Sequence, residues 1–164
     1  MINYINDLYK KCKYLMFFIF FLNAFFINIM YYKSCKKFNK NILKCLHYSI
    51  NLNGCILIKL VQWTTTNLEL LDIDNINLVY IIFSTFFENC SLHDINYTKK
   101  LFLNELNYDF DSTFMLCDDF EIKSGSIAQV YKANINNKSY AIKVVHPEID
   151  YQLIFPIMFI KCYK

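Results

Sequence analysis

The sequence predicts an α+β fold in which helices come first and a small antiparallel sheet follows. A charge-free apolar run, Tyr14–Tyr32, comes first, and apolar residues recur at helical spacing in several segments after it. Two later segments, 127–131 and 140–145, instead show the two-residue period of strands. Asn136 and Asn137 offer a turn between these strands, because Asn tolerates left-handed backbone angles. This change of period along the chain predicts the fold class.

The run Tyr14–Tyr32 is the most apolar segment, and its nineteen residues carry no charge. At about 1.5 Å per residue it approaches the ~30 Å hydrocarbon thickness of a bilayer. Tyr at both ends suits the membrane interface, whereas Asn23 and Asn28 place amides in the hydrocarbon. Lysines on both sides leave the orientation undecided: Lys10, Lys11, Lys13, Lys33, Lys36 and Lys37. Three interpretations stay open: a membrane span or anchor, a signal or targeting segment, and a buried helix of a soluble protein.

Further helices are predicted downstream by periodicity and by residues that break it. Helical spacing over 39–49 ends at the Asn- and Gly-containing stretch 51–54, and a second helix is expected from Cys55 onward. Another helical pattern covers 75–89. Thr98 is expected to cap the next helix, because its hydroxyl can accept from a free backbone N–H.

Composition excludes some classes of partner and site. All 17 basic residues are lysines and the formal net charge is only +3, so no nucleic-acid partner is expected. The seven cysteines are scattered, odd in number and without metal-ligand spacing, which indicates reduced thiols in a non-oxidising compartment.

Two groups of polar residues have the residue types of catalytic sites. His93 stands beside Asp94, but no nucleophile or metal partner is spaced with them, so a surface turn is the preferred interpretation. Five acidic residues are interpreted as a solvated approach to the first strand: Asp109, Asp111, Asp118, Asp119 and Glu121.

One lysine, Lys143, interrupts the apolar strand 140–145. Burying an ammonium group is costly unless something anionic meets it. A glycine-containing loop lies about twenty residues upstream and can bring backbone N–H groups to the same anion: Lys123, Ser124, Gly125 and Ser126. Protein kinases hold ATP with such a loop and a strand lysine. The alternative is an ordinary hairpin whose lysine head reaches water.

The residues of this hairpin resemble the UbiB/aarF-domain family of atypical protein-kinase-like proteins. Ser126–Ala133 reads SIAQVYKA, Ala141–Val144 reads AIKV, and His146–Pro147 follows, as in that family's pattern. The resemblance implies the first three strands of a kinase N-lobe. It also implies ATP as the cofactor, contacted by residues 123–126 and by Lys143.

A second block, Leu57–Thr66, is similar to the family's KxGQ signature. In the family this extension folds over the cleft, which implies that Lys59 and Gln62 face the nucleotide, toward Lys143. Their spacing of three residues places both on one helical face. The sequence departs from the signature at Val61, where the family has Gly.

The resemblance covers only the front of the family's pattern. The family's magnesium-binding Asp and Asn residues lie in a large C-terminal lobe, so magnesium is implied while its ligands are absent from these residues. The chain is therefore interpreted as a fragment, a degenerate copy, or half of a split enzyme completed by a separate polypeptide. ATP binding is expected to be weak or vestigial, and turnover by the chain alone is not expected.

Three segments are predicted: a hydrophobic membrane or targeting segment with basic flanks (1–38), a helical KxGQ-like extension (39–116) and a truncated kinase-like N-lobe (117–164). Membrane lipid and nucleotide are the expected partners. The resemblance implies a kinase or ATPase role tied to quinone or lipid metabolism at a membrane, in the family often mitochondrial. The competing hypothesis is a non-catalytic, membrane-anchored interaction or scaffold protein.

Overall fold

The computed structural model describes residues 2–68, 76–87, 90–113, 115–116, 122–135 and 138–162. Two compact units are present: one combines Met1–Phe87 with Glu148–Lys164, and the other is Glu88–Pro147. The described residues of the first unit are helical, and the second unit contains the sheet, which confirms the α+β class. The boundaries of the three predicted segments stay a prediction.

The elements follow each other in an order that agrees with the predicted change of period. They are α1 (Ile2–Cys35), α2 (Lys40–Asn53), α3 (Cys55–Thr66), α4 (Ile76–Phe83), a 3-10 turn (Ser84–Phe87), α5 (Ile95–Leu106), α6 (Phe110–Thr113), β1 (Met115–Leu116), β2 (Lys123–Ser124), β3 (Ala128–Ile135), β4 (Lys138–Val145) and α7 (Ile149–Cys162). Helix α7 returns to the first unit, where it packs on α1 and α3.

Helix α1 extends well beyond the predicted run at both ends. Its segment Asn3–Cys35 is long and apolar enough to cross a membrane, and 22% of its most apolar window is buried. One stripe of α1 packs on α2 and α7, and on it Asn28 donates to Ile42 O of α2 at 3.1 Å. The rest of the surface of α1 exposes large apolar side chains: Leu15, Met16, Ile19, Phe20, Phe25, Phe26, Ile27 and Met30.

Helices α2 and α3 meet at Gly54, as the predicted break requires. Asn39 caps α2, since its side chain accepts from the N–H of Asn41 at 2.9 Å. Gly54 ends α2 with φ 79° and ψ −145°, a conformation that suits a residue without Cβ. Its N–H donates to Ile50 O at 3.1 Å, and α3 begins at the next residue.

In the second unit, β3 is the central strand. The short strands β1 and β2 pair one after the other along one edge, and β4 pairs along the other edge, all antiparallel. Ile135 pairs with Lys138, and Val130 pairs with Lys143. The predicted turn residues Asn136 and Asn137 lie outside the described residues.

The core of the second unit forms on one face of this sheet. Tyr131 is fully buried there, and Phe102 of α5 and Phe110 of α6 pack against it with Val144 of β4. The Phe102 and Phe110 rings meet edge to face, with centroids 5.1 Å apart. Successive strand residues point to opposite faces, so the residues that alternate with this set lie on the other side of the sheet.

The prediction that Thr98 caps a helix is wrong. Helix α5 begins at Ile95, and its cap is Asp94, whose carboxylate accepts from the N–H of Asn96 at 2.9 Å. Thr98 lies one turn inside the helix and is fully buried. Asp94 is an equally good capping residue one turn earlier, and the apolar contacts of Ile95 and Tyr97 with the core extend the helix to it.

Candidate functional site

Lys143 lies on the face of β4 opposite the core. Its neighbour Val144 is buried, while the Lys143 side chain is exposed. None of the ion pairs between described residues involves Lys143. The Lys143 head therefore reaches water, as in the alternative interpretation of an ordinary hairpin, and no cost of burying the ammonium calls for an anionic partner. The ammonium is still open to an anion from solvent.

Only the second half of the predicted loop 123–126 is a loop in the structure. Lys123 and Ser124 form β2, and the chain bends only at Gly125, Ser126 and Ile127. The Gly125 N–H donates to Ala128 O at 3.0 Å, which closes the bend. This N–H is consequently already committed within the loop.

The two serine hydroxyls of the loop point inward. Ser124 Oγ donates to the carbonyl of Ser91 at 3.0 Å. Ser126 is buried, and its Oγ has no hydrogen-bond partner within the described part of the chain. The solvent side of the loop is instead formed by Lys123, Gly125 and Ile127. The exposed Lys143 ammonium, which makes no ion pair with another described residue, suits a phosphate group. The loop does not offer it the Gly125 N–H, which is already bonded, or the serine side chains, which face away from solvent. The assignment of these residues to ATP stays a prediction.

Sequence reasoning missed a pair of histidines at this loop. His93 is not in a simple surface turn: its Nδ1 lies 2.8 Å from His146 Nδ1, and its Nε2 lies 2.9 Å from Thr98 Oγ1. His146 Nε2 in turn lies 2.9 Å from Gly125 O. The His-Pro block pointed to His146 and the neighbouring Asp94 pointed to His93, but no local signal paired the two histidines, because they are 53 residues apart.

Hydrogen bonds connect this histidine pair to buried polar groups of the core. Gln129 Oε1 accepts from the His93 backbone N–H at 2.9 Å, and its Nε2 donates to the Tyr131 hydroxyl at 2.6 Å. That hydroxyl lies 2.8 Å from Thr98 Oγ1. Burial lowers the pKa of His93, and the neighbouring His146 lowers it further, while Asp94 acts in the opposite direction.

Lys59 and Gln62 lie on α3, in the first unit. Lys59 is exposed, and Gln62 Nε2 donates to Phe86 O in the 3-10 turn at 2.6 Å. The amide of Gln62 thus already has a backbone partner within its own unit. That both residues face a nucleotide near Lys143, which belongs to the second unit, stays a prediction.

The acidic residues do not form a metal site where the structure describes them. Asp109 accepts from the Ser112 N–H at 2.9 Å, and Asp111 pairs with Lys99 at 2.6 Å. The other three, Asp118, Asp119 and Glu121, lie outside the described residues. No group of three or more His, Cys, Asp or Glu residues that could hold a metal ion occurs among the residues described. Asp109 and Asp111, which are already bonded to Ser112 and Lys99, therefore do not fit magnesium.

Comparison with known proteins agrees with the hairpin motifs. Residues 70–163 match the family model described as the ABC1 atypical kinase-like domain. The chain is also 30% identical over 103 residues to a Dictyostelium discoideum protein named probable serine/threonine-protein kinase abkC. That match covers 62% of this chain and 14% of the relative, so the chain spans a small part of the relative's length. No solved structure matches. Because the family model covers more than half of the residues, the chain belongs to the ABC1 atypical kinase-like family.

Proposed function

We propose that this chain is the nucleotide-contacting front part of an atypical kinase-like protein and that it binds ATP through Lys143 and the loop 123–126. The observation that carries the proposal is Lys143, which is exposed on β4 and makes no ion pair with another described residue. Its strand partner, Val130, is the third residue of β3, the strand that follows the loop. The sheet thus brings a cation and the loop together on one strand pair.

The strand register supports this role for Lys143. Val145 pairs with Ala128, the first strand residue after the loop. Lys143 lies two residues before Val145, which is about 7 Å along a strand. The flexible four-carbon stem of lysine can span such a distance, and its ammonium would meet phosphate oxygens as a point charge.

Affinity is expected to be low. Only Lys143 and one short loop, which includes Lys123, are assigned to the phosphates here, and there is no Arg to bind them in bidentate fashion. We expect a dissociation constant no tighter than the high-micromolar range, on the order of −5 kcal/mol. Phosphoryl transfer also needs magnesium-binding groups, which we propose are supplied by a larger lobe, in the same or a separate polypeptide.

The test is ATP titration of the purified chain beside two lysine variants. Lys143→Ala should weaken binding by about five- to tenfold, because it removes a charge-assisted contact. Lys138→Ala is the matched control, since Lys138 is an exposed lysine at the far end of the same strand. Binding that is equally strong in all three proteins would contradict the assignment, and so would measurable phosphate release by the 164-residue chain.

We also propose that α1 attaches the chain to a membrane. The exposed apolar side chains of α1 and the lysines on both sides of Tyr14–Tyr32 support this, since lipid tails would cover the former and headgroups would meet the latter. The finer proposal is a role in quinone or lipid metabolism at a mitochondrial membrane. Family resemblance alone supports that part.

A second function is favoured by the closed form of the loop. Ser124 and Ser126 turn inward and the Gly125 N–H is already bonded, so the loop is also compatible with a non-catalytic scaffold. Under that alternative the same titration would detect no ATP binding, and Lys143→Ala would change nothing.

A further inference from the structure

We infer that His146, oriented by His93, is a positioning residue that holds the nucleotide loop in shape through the carbonyl of Gly125. The contact itself is independent of any ligand. Its meaning for nucleotide binding rests on the proposed function.

His146 holds the bend at two points. Its backbone N–H donates to Ile127 O at 2.9 Å, at the end of the bend. Its side chain reaches back to Gly125 O, 2.9 Å from Nε2, at the start of the bend. Ser124 Oγ lies 3.3 Å from the same nitrogen. One residue at the end of β4 thus determines the path of the segment that joins β2 to β3.

The partners assign the hydrogens of both rings. Gly125 O can only accept, so His146 Nε2 carries a hydrogen and Nδ1 of the neutral ring accepts. His93 Nδ1 must therefore donate across the 2.8 Å contact to His146. His93 Nε2 is then an acceptor and receives the hydroxyl hydrogen of Thr98 at 2.9 Å.

The same direction continues into the core. The Tyr131 hydroxyl donates to Thr98 Oγ1 and accepts from Gln129 Nε2, at 2.8 and 2.6 Å. Gln129 cannot be flipped, because its Oε1 accepts from the His93 backbone N–H. Every group in this series donates to the next, from the fully buried Gln129 to the loop carbonyl. The loop is thereby tied to groups that the core holds in place.

The first experiment measures the ring hydrogens directly. Nitrogen-15 spectra of histidine-labelled full-length chain in detergent micelles, near pH 7.5, distinguish the two neutral tautomers. We expect the Nε2–H form for His146 and the less common Nδ1–H form for His93. Finding Nε2–H at His93, or a charged ring at either position, would overturn the assignment.

The second experiment measures hydrogen exchange at the Gly125 N–H in variants. His146→Ala should accelerate this exchange several-fold, up to about tenfold, since the Gly125 carbonyl loses its hydrogen bond to the His146 ring. His146→Gln keeps an N–H donor without a ring and should stay within about threefold of wild type. His47→Gln is the matched control, because His47 contacts Thr85 in the first unit.

Exchange at Val130 and Lys143 separates loop positioning from general support of the sheet. An effect of His146→Ala at the loop with these amides unchanged supports the inference. Equally accelerated hydrogen exchange at all amides of the sheet in His146→Ala would overturn the inference. It would also be overturned if the Gly125 N–H exchanged as rapidly in His146→Gln as in His146→Ala.

ATP titration of the same variants separates the two proposals. A roughly fivefold weaker affinity in His146→Ala, restored in His146→Gln, supports a positioning role for nucleotide binding. Equal affinity in all variants would refute that role. If the wild-type chain binds no ATP, the proposed function fails, while the exchange data still decide whether His146 holds the loop.

Discussion

Replacing Gly54 with Ala should destabilise the first unit, and the chain provides its own control because it has only two glycines. Gly54 joins α2 to α3 at φ 79° and ψ −145°. Residues with a Cβ rarely adopt this conformation. A Cβ at this position would also collide with the side-chain amide of Gln152 in α7.

The magnitude follows from two costs. Holding a non-glycine residue in such a backbone region costs about 1–3 kcal/mol. Gln152 would have to move, and its Oε1 now accepts from the Cys55 N–H at 3.1 Å. Loss of that bond adds roughly 1 kcal/mol. A total of about 2–4 kcal/mol is a large part of the stability of a typical domain.

The assay is hydrogen exchange of the α2 and α3 amides in Gly54→Ala and Gly125→Ala, compared with wild type. Gly125 does not have a positive φ, and a Cβ there would meet only Ala128 O at 3.7 Å, an ordinary contact. Gly125→Ala should therefore change stability by no more than about 0.5 kcal/mol. Wild-type protection of α2 and α3 in Gly54→Ala would refute the reasoning.

Two further predictions concern acid and membranes. Burial holds the pKa of His93 below its ordinary value, so the unfolded chain binds a proton first as pH falls. The contribution of neutral His93 to the free energy of unfolding is fully present above about pH 6.5, and it is lost as pH falls through the folded-state pKa of His93. Exchange at β3 amides should consequently be less protected near pH 5 than at pH 7.5, and pH-independent protection would contradict this. Carbonate extraction should leave the expressed protein in the membrane fraction; full recovery in the soluble fraction would exclude insertion of α1.

Local patterns were sufficient for the elements of this fold. The break at Gly54 and the pairing of β3 with β4 both follow from residues close together in sequence. The short sequence motifs around Ala128 and Lys143 were likewise sufficient to identify the family. Such features were predictable because the interactions that produce them join residues only a few positions apart.

The two glycines show where local reasoning stops. Gly125 was singled out as the glycine of a phosphate loop, yet its backbone is ordinary and half of the predicted loop is strand β2. Gly54 was recognised only as a break, yet α7, nearly a hundred residues later, places Gln152 against it. A close approach of this kind depends on helix packing, which no short stretch of sequence contains.

The histidine pair is the clearest case of a site formed by the fold. His93 and His146 are far apart in the chain, and each alone looks like a surface residue. They meet because α5 packs Phe102 against Tyr131, while β4 pairs with β3 and ends beside the loop. The sequence alone determined which residue types are present and that Lys143 lies on a strand. Which of these residues contact each other was determined by burial of the sheet's apolar face, since that burial selects one arrangement of α5 on the sheet.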